Sequence, residues 1–276
     1  MSSSITAATE HYQAGRLGDA IDVLNAVVKA KPTDLDARGL LATMLCFAGN
    51  LERADLMLDV IGKQNPELTV ALALARQLIR AETHRQAVFA DGAVPEVLHE
   101  PPAWMTKRLE AGVALREGAV GDAGRLLAEA EATRPAVAGT LDGKPFDDWR
   151  DADDTCSGFV EVLTSTGKYY WVPAERIQSM VFRDPKRPQD LLWRQCEMTV
   201  EDGPEGEVFV PAVYAGTARL APEQDGLKLG RATDWIGDED AGEPVRGLGQ
   251  RCVLVGEELV PVMSLGEMTF TPAGAA

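Results

Sequence analysis

A five-residue pattern occurs three times in the first half of the chain. Gly15, Ala20, Leu24, Val27 and Pro32 return as Gly49, Ala54, Leu58, Ile61 and Pro66, each 34 positions on, and again as Gly118, Ala123, Leu127, Ala130 and Pro135 after a further 69. A fixed period of this length means stacked copies of one supersecondary unit. The residue types give the mechanism. A glycine ends a first helix where a left-handed residue is needed, the alanine lets paired helices approach closely, and the proline stops the second helix. No single pair could bury its own apolar face, so the core comes from stacking.

The period is that of the tetratricopeptide helix-turn-helix. Between the second and last copies the pattern is worn. Leu68 to Ala81 keeps helical apolar spacing, Gln86 to Phe89 is expected to begin a partner helix, and Asp91 to Pro102 breaks into a loop. Trp104 to Leu115 then resumes as the first helix of the last copy. In such arrays the groove is formed by the first helix of each pair. That nominates Tyr12, Gln13, Thr43, Cys46, Phe47, Gln77 and Arg80 as a surface for a partner helix or peptide. The competing expectation is that this face packs on the C-terminal half or meets water.

From Gly158 the hydrophobic period changes to alternation. Strands are expected at Phe159–Leu163, Lys168–Val172, Met180–Phe182, Leu191–Val200, Glu207–Tyr214, Arg251–Leu254 and Glu258–Met263. Thr166-Gly167, between two apolar-aromatic runs, reads as a hairpin turn, and Pro173 to Ser179 as one helical turn. Tyr169, Tyr170, Trp171, Phe182 and Trp193 crowd into this region although aromatics are only 6% of the chain. Alternation puts Trp171 and Trp193 inside a small β core. Gly216 to Gly247 reads as an acidic loop anchored by Trp235, and Thr271 to Ala276 as a fraying end. The expected fold class is α+β: a tetratricopeptide-like helical half over 1–140, an acidic junction over 141–157 and a mostly β domain over 158–276.

Net charge is −16, which argues against nucleic acid or an anionic membrane as partner, since phosphate binding needs clustered Lys and Arg. The first residues lack a cationic region followed by an apolar core, so no signal peptide is read and the expected compartment is the cytoplasm. The apolar stretch Thr69–Ile79 is too short to span a bilayer. Cys46, Cys156, Cys196 and Cys252 are far apart and read as reduced, mostly buried thiols.

Five aspartates (Asp147, Asp148, Asp151, Asp153 and Asp154) fall within eight positions of the junction. A calcium loop counted from Asp151 fails, because its sixth position is Cys156 and its twelfth Val162. The expectation is a solvated, helix-capping linker with no metal. His11, His84 and His99 are not spaced as ligands, and there is no nucleophile elbow or P-loop. Gly247-Leu-Gly249 begins like a dinucleotide fingerprint, but Cys252 replaces the third glycine and a strand follows. No catalytic residue and no cofactor are therefore expected. Arg183, Lys186 and Arg187 form a basic island in an acidic chain, either a solvated turn or a contact for an acidic partner.

Gly167-Lys-Tyr-Tyr-Trp-Val-Pro-Ala-Glu-Arg-Ile177, Asp184-Pro-Lys-Arg-Pro-Gln-Asp-Leu-Leu-Trp193 and Glu205-Gly-Glu-Val-Phe-Val-Pro-Ala-Val-Tyr214 resemble the ImpE family, which includes the TagJ-type accessory proteins of bacterial type VI secretion. The Arg150-Asp-Ala-Asp-Asp154 junction and the repeat half are also similar. The resemblance implies a cytoplasmic, non-enzymatic adaptor. It also implies association with the small subunit of the contractile sheath and with the ClpV-type AAA+ ATPase that disassembles contracted sheath. It carries no catalytic or binding residue over. The alternatives are a general tetratricopeptide scaffold or chaperone for another partner, and a metal-dependent enzyme using Asp147 to Asp154.

Overall fold

The three repeat glycines turn the chain as their spacing predicts: Gly15, Gly49 and Gly118 have φ of +80°, +73° and +76°. Residues 3–271 are described in the computed structural model. The helices are α1 (Ser3–Gln13), α2 (Leu17–Ala30), α3 (Leu35–Phe47), α4 (Leu51–Gln64), α5 (Thr69–Asp91), α6 (Ala103–Arg116) and α7 (Val120–Thr133). Each glycine follows the first helix of a pair. Ala20, Ala54 and Ala123 are fully buried between paired helices, where a larger side chain would force them apart. Asp34 and Asn50 cap α3 and α4, accepting from the amides of Ala37 (3.1 Å) and Arg53 (3.3 Å).

The third unit departs from expectation. α5 is one continuous helix of 23 residues, not a helix and the start of its partner. The polar run Glu82-Thr-His-Arg85 does not break it, because Glu82 and Arg85 continue the buried stripe of Leu78, Ile79 and Val88. Both charges find partners across the molecule.

The strands are β1 (Gly139–Leu141), β2 (Lys144–Phe146), β3 (Trp149–Asp151), β4 (Phe159–Leu163), β5 (Tyr169–Pro173), β6 (Ile177–Phe182), β7 (Trp193–Val200) and β8 (Glu205–Pro211). Two short helices follow, α8 (Thr217–Leu220) and α9 (Asp225–Lys228). Then come β9 (Thr233–Ile236), β10 (Arg246–Gly249), β11 (Cys252–Val255), β12 (Glu258–Pro261) and β13 (Glu267–Phe270). Eight strands form one antiparallel sheet in the order β2-β1-β13-β6-β7-β8-β4-β5, while β12-β11-β3 and β10-β9 form smaller sheets. Strands therefore begin at Gly139, and the segment expected to be a linker supplies β1 to β3.

Alternation decides which face each residue serves. On β4, Val160 and Val162 join a core with Trp149, Val253 and Val260 of the small sheet. Phe159 and Leu163 face the helices instead, Phe159 packing with Val88, Trp104 and Trp171, and Leu163 with the repeat core. Trp171 and Trp193 are buried, but against the helices and not inside the expected β core: Trp171 packs with Val88, Trp104 and Phe159, and Trp193 joins the repeat core. Between Gly216 and Gly247 the expected loop is organised into α8, α9 and the β9–β10 ribbon. Its anchors are Leu227 and Leu248; Trp235 is 36% exposed and does not play that part. Thr271 does not fray, its amide donating to the Ala138 carbonyl at 2.8 Å. The rest of that expectation falls on 272–276, outside the described residues.

Candidate functional site

The polar centre of the molecule lies where α5 meets the large sheet. Glu161 stands in the middle of β4, fully buried, on the side that faces the helices. A carboxylate there requires cations within hydrogen-bond reach. Two arginines supply them. Arg85 of α5 donates through Nε (2.7 Å) and Nη2 (3.1 Å), and Arg251, just before β11, through Nη1 (2.6 Å). The Tyr169 hydroxyl also donates to Glu161, and Trp171 Nε1 donates to that hydroxyl at 2.5 Å.

The chain of charges continues at both ends. Glu82 accepts from Arg85 (3.0 Å), Gln86 (2.6 Å) and the Trp193 indole (3.1 Å). Asp151 accepts from Arg251 Nε at 2.5 Å, the Asp153 amide at 2.8 Å and the Tyr214 hydroxyl at 3.2 Å. Carboxylate and guanidinium thus alternate from α5 through β4 to β3, joining the repeat half to both sheets.

The junction aspartates are consequently not a solvated linker. Asp148 accepts from Arg134 (2.9 and 2.5 Å) and from the Val137 amide. Asp153 accepts from Thr155 and from the Gly247 amide, and Asp154 from the Val245 amide. Asp147 is exposed. Among the described residues no group of three or more His, Cys, Asp and Glu side chains is placed to hold a metal. Gly247 is required for packing, since a Cβ there would enter the Tyr214 ring. Cys156, Cys196 and Cys252 are buried, Cys46 is half-buried, and none is disulfide-bonded.

The network has a pH signature. Burial pushes Glu161 up, but Arg85 and Arg251 outweigh it and hold the carboxyl at about 2. Its stabilisation is complete above the unfolded value and is lost as pH falls through the folded one, worth on the order of 3 kcal/mol. Asp153 has the opposite sign: burial, then the neighbouring Asp151 charge, raise it to about 7. Its cost to the fold grows as pH rises toward that value. From these two groups the urea midpoint is therefore expected to climb from strong acid to about pH 4 and then to decline by a comparable amount toward about pH 7.

The residues nominated from the repeat fall into three settings. Phe47 is 2% exposed, in a core shared with Leu192, Trp193 and Leu229 of the C-terminal half. The Tyr12 ring lies 5.9 Å from Phe47 and beneath the Arg231 guanidinium, 5.1 Å away. Arg231 also donates to the carbonyls of Tyr12 (2.7 Å) and Gln13 (2.8 Å), closing the end of α1. Thr43 is half-buried and bonds back to the Gly39 carbonyl. Gln77 and Arg80 lie against Gly167, the turn glycine of the β4–β5 hairpin. Arg183, Lys186 and Arg187 are exposed; Arg183 pairs with Glu197 (2.6 Å) and Arg187 with Asp190 (3.0 Å). The first-helix face is thus occupied largely by the chain's own C-terminal half. The repeat spacing held no sign of this, although a Glu inside the apolar run of β4 was a signal that a buried cation must meet it.

Helical repeats closed onto a sheet by a buried ionic seam define a tetratricopeptide-type protein with an intrinsic partner domain. The tetratricopeptide repeat family model matches residues 11–81, and the ImpE protein family model matches residues 143–269. The type VI secretion system accessory component TagJ of Pseudomonas aeruginosa is 31% identical over 97% of this chain and 92% of that protein. The crystal structure of protein VPA1032 from Vibrio parahaemolyticus superposes with a TM-score of 0.89 at 27% identity, covering 97% of this chain and 98% of that one. The chain belongs to the ImpE family. Among the described residues no helix is long and apolar enough to cross a membrane.

Proposed function

We propose that this protein is a non-enzymatic adaptor of a type VI secretion system. It binds the small subunit of the contractile sheath and is thereby linked to disassembly of contracted sheath by a ClpV-type AAA+ ATPase in the cytoplasm. The observation that carries the reading is the similarity, 31% identical residues over nearly the full length, to the accessory component TagJ. The fold supports it, since helical repeats serve mainly to present surface. Fastening the repeats to a sheet makes that surface rigid before a partner arrives, which lowers the ordering cost of binding. Of the residues nominated from sequence, Gln13, Arg80, Arg183, Lys186 and Arg187 are exposed, and the four cations among them suit acidic groups on a partner, Arg183 and Arg187 by exchanging Glu197 and Asp190.

Titration of the purified small sheath subunit into this protein is expected to give a saturable complex of micromolar or tighter affinity. Absence of any association, with both proteins folded, would overturn the assignment. A complex with the ATPase alone would keep the adaptor role and move its target.

A further inference from the structure

A cleft of about 390 Å³ opens between the end of α5, the face of α6 and the segment running from Tyr214 through α8 to β10. Four arginines line it: Arg108 of α6, which pairs with Glu131 at 2.8 Å, and three more from three elements, Arg116 of α6, Arg219 of α8 and Arg246 of β10. None of these last three has a carboxylate partner among the described residues. In a chain with 43 acidic and 27 basic residues, three such guanidinium groups around one opening are a marked local excess of positive charge. Arg116 Nη1 reaches only the Val88 carbonyl, at 3.3 Å, and the buried Arg246 Nε has no acceptor. The one carboxylate in the lining, Asp153, is already engaged by Thr155 and the Gly247 amide.

The same opening gathers exposed apolar surface. Seven large apolar side chains are exposed among the described residues, and three of them border this cleft: Val94 at 69%, Val113 at 45% and Leu220 at 42%. Scattered single exposures are ordinary, whereas a group at one cleft marks a binding surface. Cations beside an apolar rim match a ligand that presents carboxylates next to aliphatic side chains. A small anion would meet the arginines but leave that rim in water. A peptide segment covers both.

We infer that this cleft is a docking site for a peptide segment of a partner protein that combines acidic and apolar residues. The inference rests on the adaptor reading above and gives it a surface that includes none of the residues nominated from the repeat spacing.

Overlapping peptides tiled across the other proteins of the secretion apparatus, read by fluorescence anisotropy against the full chain, test it. The peptides that bind are expected to be acidic and apolar. Their affinity should fall about tenfold or more in Arg116→Glu/Arg219→Glu, and severalfold in Leu220→Ser, which leaves every charge in place. All three positions are exposed, and thermal unfolding confirms that the variants fold. No binding to the wild-type chain, unchanged binding to the folded variants, or equal binding of peptides whose apolar residues are replaced by serine overturns the inference. Intact sheath subunit that binds both variants as wild type would leave the adaptor reading standing and remove the cleft. Binding through the cleft by peptides of another component would do the reverse for the sheath assignment.

Discussion

Glu161→Gln is expected to destabilise the protein by about 3–5 kcal/mol, a large part of the stability of an ordinary domain. Glutamine nearly keeps the shape but removes the charge that Arg85 and Arg251 share. Both guanidinium groups are almost fully buried, so neither can turn to water, and each retains only one carboxylate: Glu82 for Arg85, Asp151 for Arg251. The Tyr169 hydroxyl loses its charged acceptor as well. Urea unfolding followed by tryptophan fluorescence reads the loss directly, because Trp171 and Trp193 bond to the same network. Arg183→Ala, which removes an exposed pair with Glu197, should cost less than about 1 kcal/mol. Equal effects from the two changes would show that the buried seam does not hold the halves together.

The second large effect concerns Phe47. Truncation to alanine removes a nearly fully buried ring from the core shared by α3, Leu192, Trp193 and Leu229 and is expected to cost about 3–5 kcal/mol. The sequence pattern alone places Phe47 in a partner groove, where the same change would weaken binding and leave folding intact. Calorimetric melting distinguishes the two. A lowered Tm assigns Phe47 to the protein's own core, and an unchanged Tm returns it to the partner surface.

How far the sequence predicts this molecule depends on the range of the interactions involved. The repeat was legible because Gly15, Ala20 and Pro32 act within one helix pair and recur at a fixed distance. The β4–β5 hairpin was legible because Gly167 sits between two runs of matching alternation. The continuity of α5 was not, since Glu82 and Arg85 look like a solvent-facing interruption until Trp193 and Glu161 are placed opposite them. The junction aspartates misled for the same reason. Asp151 and Asp153 look hydrated locally, but their partners, Arg251 and the Gly247 amide, lie almost a hundred positions away. β1 to β3 are three residues each, too short for alternation to register. Glu267-Met-Thr-Phe270 does alternate, with Met268 and Phe270 buried and their neighbours exposed, yet no strand was expected there, four residues being a weak signal. The cleft lined by Arg116, Arg219 and Arg246 could not be read at all, because its members are joined only by the fold.

The stitches at the two ends of the chain bear on its biosynthesis. The first repeat is closed by Arg231 on the carbonyls of Tyr12 and Gln13 and by Asp225 on the Gly18 amide. The β1–β2 ribbon joins the large sheet only through β13, with Gly139 opposite Phe270. Helices α1 to α7 therefore leave the ribosome with Phe47 uncovered and Arg85 paired only with Glu82 of its own helix, not yet with Glu161. At roughly 5–20 residues per second, several seconds separate their emergence from that of the residues that cover them. During translation the repeat half presents to chaperones the apolar face it later hides, and a nascent chain halted before Glu267 has no strand with which to seat β1. The contacts that close this protein thus come from residues between Glu161 and Phe270, although its recognisable repeat is in the first hundred and thirty-five.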